Sequence, residues 1–179
     1  MDDIVKQAMV KWPGVPHCYG WLGLDARGNW YMRDERAQAQ GAFRSSGAQA
    51  KGSLLTHDKL IGFIARNYEA DEKGRWLFQN GPQRVYVELE LTPWVWRIGA
   101  DLSVQSHTGR VATPHTCWLD EQGRVYLDTD IGFGLIHTMD VAIAADAVMQ
   151  GRWVPRDTLS HTLPTRFGYV QSPQLEQQP

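Results

Sequence analysis

Apolar and polar residues alternate along one stretch of the chain: Val85, Val87, Leu89 and Leu91 fall on one side, and Tyr86, Glu88, Glu90 and Thr92 on the other. Successive side chains of a pleated strand point to opposite faces, so residues 84–91 read as a strand with one buried and one wet side. A helical period governs three other stretches. Ile4, Val5, Ala8 and Met9 share a face over 2–11, which ends before Trp12-Pro13. Leu60, Ile61, Ile64, Ala65 and Tyr68 share one over about 57–68, with Thr56 as the cap. Val141, Ala144, Ala145 and Val148 share one over about 139–150, capped by Thr138 and ended by Gly151. Shorter strands are expected at 75–79, 94–98, 102–106, 116–120, 124–128 and 133–136.

A turn motif punctuates these elements. Leu24-Asp25-Ala26-Arg27-Gly28-Asn29-Trp30-Tyr31-Met32 returns as Leu119-Asp120-Glu121-Gln122-Gly123-Arg124-Val125-Tyr126-Leu127, and in part as Asp71-Glu72-Lys73-Gly74-Arg75-Trp76-Leu77-Phe78. Asp opens each turn and Gly stands three residues on, where a left-handed backbone is needed, before a run of aromatic or branched residues. Hairpin followed by helix occurs twice. The chain is therefore expected to be α+β, with two similar small lobes at 1–99 and 100–170. Each would be a bent antiparallel sheet wrapped around one helix, with a short N-terminal helix in addition.

Two regions lack periodicity. Residues 35–53 are mostly Ala, Gln, Gly and Ser with one aromatic, Phe43, and read as a mobile loop, either a tolerated insertion or a lid. After Pro155 only Leu163–Val170 reads as ordered, and the Gln-rich end, 171–179, is expected to be a disordered tail.

Composition narrows the class. Eight Trp, six Tyr and five Phe in 179 residues favour sheet, where large rings pack on half-buried surfaces. The 18 basic and 20 acidic side chains are spread evenly, whereas phosphate-backbone binding needs a concentrated positive stripe, so no nucleic acid polymer is expected as partner. Two cysteines, Cys18 and Cys117, form no disulfide framework. The first residues lack a signal-peptide pattern and no stretch is long enough to span a bilayer, so a soluble, cytoplasmic protein without membrane contact is expected.

The chain resembles a bacterial domain-of-unknown-function family whose members begin with a Cys-Gly-rich strand, a D-G-x-W hairpin, and a helix leading to a long strand pair. The resemblance rests on Cys18 to Gly28-Asn29-Trp30-Tyr31, on the helix around Leu60–Ala65 with Trp76-Leu77-Phe78, on Val85–Leu91 with Pro93-Trp94-Val95, and on Tyr126–Ile131. It implies two small α+β domains, each a helix embraced by long bent strands, with a cleft between them. It also implies the binding of a nucleotide-like ligand, in signalling, with no established activity. The chain departs from the pattern at Tyr19, Gly20 and Trp21, where the family has acidic residues, in the added loop 35–53, and after Gly151.

Candidate chemistry centres on Asp128-Thr129-Asp130-Ile131-Gly132-Phe133-Gly134, leading through His137 into a helix. A strand end, a glycine-containing bend and a helix start could offer backbone N–H groups to an anion, and two carboxylates could hold hydrated Mg²⁺. The plain alternative is a turn, a bulge and a helix cap. Trp96 and Trp94 share one strand face near Arg97, a combination able to stack a base and bind a phosphate, or simply to form a core pair beside a solvated Arg. Arg84 flanks a hairpin turn and invites the same two readings. His17, Cys18, His115 and Cys117 precede or open equivalent strands and could form a four-ligand zinc site, although a lone strand Cys is more often a small buried hydrophobe, so no metal is assigned.

The leading expectation is a non-enzymatic binding protein for a small anionic or nucleotide-like ligand, held in an interdomain cleft near Asp128, Thr129, Asp130, Gly132, Gly134 and His137, with Arg97, Trp96 and Arg84 contributing. No catalytic residue and no cofactor is assigned. One alternative is a metal-assisted phosphoester hydrolase with Asp128 and Asp130 as ligands and His137 as acid or base. The other is a protein–protein interaction module using the N-terminal helix or an exposed strand edge.

Overall fold

The computed structural model describes residues 1–45 and 47–177. They form two compact units, one of Met1–Asp25, Asn29–Glu90 and the chain from Tyr169 onward, the other of Ala26–Gly28 and Leu91–Gly168. The fold is α+β, with two lobes.

The first unit opens with helix α1 (Asp3–Lys11) and builds a sheet from β1 (Cys18–Leu24), β2 (Trp30–Met32), β3 (Ser53–Leu54), β4 (Tyr68–Ala70), β5 (Trp76–Asn80) and β6 (Gln83–Leu89). Their order is β3-β2-β1-β6-β5-β4. Every neighbouring pair is antiparallel except β1 and β6, which run parallel with Leu22 opposite Val87 and Leu24 opposite Leu89. The sheet is thus mixed where an antiparallel one was expected, because the long connection between β1 and β6 allows the chain to return in the same direction. Helix α4 (Asp58–Arg66) buries Ile64, which joins Leu22, Leu77 and Phe78 among the unit's buried side chains. Its cap is the His57 ring, accepting from Leu60 N–H at 3.3 Å, rather than Thr56.

Residues 35–45 and 47–53 fold, contrary to the expectation of a mobile loop; residue 46 lies outside the described residues. They contain helices α2 (Glu35–Ala39) and α3 (Ala48–Lys51). Asp34 caps α2 by accepting from Ala37 N–H at 2.9 Å. Phe43 is fully buried, and a Cβ on Gly23 would lie 2.5 Å from its ring. Arg33, 1% exposed, donates to the carbonyls of Ala50 at 2.8 Å, Gly20 at 3.1 Å and Gly41 at 2.6 Å. One buried guanidinium therefore satisfies carbonyls that an irregular segment would otherwise leave unpaired.

The second unit's strands are β7 (Trp94–Ile98), β8 (Val104–Ser106), β9 (Val111–Ala112), β10 (Pro114–Asp120), β11 (Val125–Thr129), β12 (Gly132–Ile136) and β13 (Pro155–Thr158). Their order is β13-β10-β11-β12-β7-β8-β9, again mixed, with parallel pairs at β10/β13 and β7/β12. Pairing with β12 places β7 in this unit, so the units divide at Glu90/Leu91 instead of 99/100. Helices α5 (Val141–Met149) and α6 (Leu163–Phe167) follow. Tyr126, Phe133 and Phe167 stack with centroid separations of 5.4 and 3.7 Å.

The segment expected as a disordered tail from 171 returns to the first unit over its described part, to Gln177. Gln171 accepts from Leu89 N–H at 2.8 Å, and the buried Glu88 carboxylate accepts from Gln174 N–H at 3.0 Å and from the Ser172 hydroxyl. Residues 178–179 lie outside the described residues.

The Asp-x-x-Gly turns take the predicted form. Asp25, Asp71 and Asp120 each pair N–H to the carbonyl of the residue four on, at 3.0, 2.9 and 3.1 Å, and Gly28, Gly74 and Gly123 have φ of +80°, +75° and +76°. Each Asp side chain also accepts from a backbone N–H inside its own turn. Two further turns share the geometry without the Asp: Ser106–Arg110, with Gly109 at φ +84°, and Gly99–Ser103, where Leu102 holds φ +64°.

Candidate functional site

A recess of the second unit, about 450 Å³, is lined by residues 114–117 of β10, Leu127 of β11, and Arg152, Trp153, Val154 and Arg156. Its walls follow from the chain. Helix α5 stops at Gly151, whose φ of +68° reverses the backbone, and the N–H groups of Arg152 and Trp153 both donate to the Ala147 carbonyl. That double contact ties Arg152 and Trp153 to the helix end. The parallel register of β13 on β10 then sets Pro155 opposite Cys117 and Arg156 opposite Trp118.

Charge in the recess is of one sign. Arg152 and Arg156 carry it, His115 adds an imidazole to the wall, and no carboxylate is among the lining residues. Among the described residues neither Arg152 nor Arg156 has a carboxylate within ion-pair distance; Arg156 instead lies 5.8 Å from the Trp118 ring centroid. Two guanidiniums without acidic partners offer planar donor forks to an anion, and Trp153 adds a flat apolar wall. Cys117 is buried beneath, and burial pushes its thiol up to about 11, so it stays protonated at neutral pH and is neither a nucleophile nor a ready metal ligand.

The segment singled out in the sequence is engaged differently. The Thr129 hydroxyl donates to the Gly132 carbonyl at 2.8 Å and accepts from Ile131 N–H, and Asp130 accepts from Thr113 N–H at 2.7 Å. Gly134 lies against Trp94 and Trp96, where an added Cβ would come within 2.6 Å of both rings' residues. Gly132 occupies φ +124° at the hairpin. Asp128 stays half-buried on β11, opposite Thr116 and Phe133. His137 is buried and caps the turn before α5 by accepting from Met139 N–H at 3.1 Å.

The remaining candidates are scattered. Trp96 is fully buried with its indole N–H on the Leu127 carbonyl at 3.1 Å, so its ring is closed to a ligand. Arg97 grips Asp140 through Nε at 2.6 Å and Nη2 at 3.2 Å, and Asp140 also accepts from Ile98 N–H. This pairing holds the Asp140 carboxyl below its usual range. Arg84, His17 and Cys18 stand in the first unit, His115 and Cys117 in the second. Among the described residues no group of three or more His, Cys, Asp or Glu side chains gathers to hold a metal ion.

A family model, DUF2944, described as a protein of unknown function (DUF2946), matches residues 1–174. The chain belongs to the DUF2944 family. This agrees with the resemblance to a domain-of-unknown-function family drawn from the hairpin and strand motifs. Among solved structures, the chain is similar to a DUF1285 family protein from Silicibacter pomeroyi DSS-3, with 13% identity, a TM-score of 0.50, and coverage of 82% of this chain and 84% of that one. It also matches a DUF1285 family protein from Shewanella baltica OS155, with 15% identity, a TM-score of 0.42, and coverage of 70% and 91%. At such identity the likeness to the first concerns the fold. No curated protein matches the chain.

The DUF2944 match includes the stretch from Gly151 to Arg156, so the two arginines of the recess fall within the family region. Sequence reasoning passed over them. Their only local signal is the pair of arginines around Trp153 in Arg152-Trp153-Val154-Pro155-Arg156, and its meaning depends on β13 joining β10. No described helix is long and apolar enough to cross a membrane.

Proposed function

We propose that the chain is a binding protein for a small anionic or nucleotide-like ligand, taken up in the Arg152–Arg156 recess of the second unit. The reading rests on one observation: two arginines without acidic partners face a recess of about 450 Å³ that also carries His115 and Trp153 and has no lining carboxylate. Pockets of this volume suit small organic ligands, and a guanidinium pair beside an aromatic wall suits a phosphate attached to a flat ring. A signalling role is the setting that the family resemblance suggests. The Asp128–Gly134 hairpin forms part of the scaffold in this reading.

The test is a thermal-shift series with nucleoside mono-, di- and triphosphates and with inorganic phosphate on the full chain. A ligand at about a hundred times its Kd adds roughly 2.7 kcal/mol, which is about 5–10 °C in a domain of this size. Arg152→Ala and Arg156→Ala should each remove most of that shift while leaving the unliganded Tm within a degree or two. Absence of a shift with every compound, or one unchanged in the double variant, would sink the proposal.

A further inference from the structure

A second recess, of about 390 Å³, lies wholly in the first unit and is lined by Ala70, Asp71, Glu72, Lys73, Arg75 and Arg84. We propose that it binds a dianionic phosphoryl group, free or as a monoester, through Arg84 and Lys73.

The two acidic residues at this recess differ in availability. Asp71 is fully engaged: Oδ1 accepts from the N–H groups of Lys73 and Arg75, and Oδ2 receives the Arg75 guanidinium and the Tyr86 hydroxyl. Arg75 and Asp71 thus cancel one another and act as a rigid wall, with Arg75 also donating to Tyr86. Glu72 is exposed on the turn. Among the described residues neither Lys73 nor Arg84 has a carboxylate within ion-pair distance. The balance at the recess is therefore one positive charge, carried by side chains without partners.

The cations meet at the recess through their side chains, since strand pairing sets Arg84 opposite Gln79 and away from the turn. Arg84 shares a face of β6 with Tyr86, two residues on, and the Tyr86 hydroxyl reaches Asp71 in the turn that joins β4 to β5. Tyr86 in turn stacks on Tyr19 at 4.5 Å and meets the His17 ring edge-on at 6.0 Å. His17 registers the local field: burial lowers its pKa first, and repulsion from Arg84 and then Arg75 lowers it further. An anion seated on Arg84 would offset that repulsion and so lift His17's affinity for its proton.

His17 is thus a built-in reporter. In NMR pH titrations of the full chain, with its resonance assigned through His17→Gln, phosphate should lower the His17 proton dissociation constant about threefold, whereas sodium chloride at matched ionic strength should not. Response to inorganic phosphate assigns the free anion, and response to glycerol phosphate alone assigns the ester. Arg84→Gln and Lys73→Gln should each abolish the effect. Identical titrations in phosphate ester, phosphate and chloride overturn the proposal, as does a phosphate effect that survives Arg84→Gln. Movement of His115 without His17 overturns it too, while leaving the second unit's recess standing.

Discussion

The Tyr126 hydroxyl donates to Asp120 Oδ2 at 2.8 Å, and both residues are buried. The same carboxylate accepts two backbone N–H groups through Oδ1, so Asp120 ties the turn to the core ring stack. A similar link occurs at Asp71, which accepts from Tyr86, and at Asp25, which bonds Tyr31. The repeated turn is therefore also a repeated Asp–Tyr tether. Burial, and then Asp120, pushes the Tyr126 phenol well above its usual range, keeping it a donor at any working pH.

Tyr126→Phe keeps the ring stack on Phe133 and deletes only the donor. A hydrogen bond to a buried carboxylate contributes about 1.5–3 kcal/mol, and the loss should approach that range because Arg124, at 3.8 Å, replaces the hydroxyl poorly. Urea unfolding checks it. A loss below half a kcal/mol would mean that water substitutes for the phenol.

Leu102 gives a second test. It is the one described non-glycine residue with positive φ, +64°, and it fills the place that glycine holds in four sister turns. A left-handed backbone costs an L-residue about 1–2 kcal/mol, partly offset by the greater chain entropy that glycine loses on folding. Leu102→Gly should raise stability by about 0.5 kcal/mol. Gly123→Ala should lower it by about 1 kcal/mol, since an added Cβ meets nothing within 4 Å and only the backbone is strained. Equal signs for the two variants would refute the shared-turn account.

What could be read from the sequence divides along the range of the interactions concerned. The turns at Asp25, Asp71 and Asp120, and the helices carrying Ile64 and Ala144, are encoded within a few residues, and they stand where the periodicity put them. The parallel pairings β1/β6, β7/β12 and β10/β13 join distant segments and leave no local trace. The order of the described residues in 35–53 depends on Arg33 and Phe43 reaching across the fold, so a composition of Ala, Gln, Gly and Ser reads as loop. The recess was missed for the same reason: Arg152 and Arg156 become one site only when the end of α5 and the edge strand β13 meet β10.

Arg33 makes that dependence measurable. Its three bonds run to carbonyls in β1, after α2 and in α3, and burial lowers its pKa while Glu88 opposes the shift. Arg33→Met retains volume but leaves those carbonyls without their donor, at a cost of about 3–5 kcal/mol. Limited proteolysis should then cut within 35–53, where the wild-type chain resists. Wild-type protection in Arg33→Met would show that Phe43 alone holds the segment.

Glu88 supplies the pH dependence. Burial raises its pKa above the ordinary carboxylate value, and the bonds from Ser172 and Gln174 and the charge of Arg33 only partly reverse this. An acid whose folded pKa exceeds its unfolded one binds protons more tightly in the native state. Its contribution to stability therefore grows as pH falls through the interval between the folded and unfolded values, and shrinks as pH rises through it. Glu88→Gln abolishes that component while Gln can still accept from Gln174 N–H. Urea midpoints measured from about pH 7 down to about pH 4 should give a wild-type-minus-variant difference that shifts in favour of the wild type as pH falls through that interval. A difference moving the opposite way would mean that Arg33 and the C-terminal segment stabilise the ionised carboxylate more than burial penalises it.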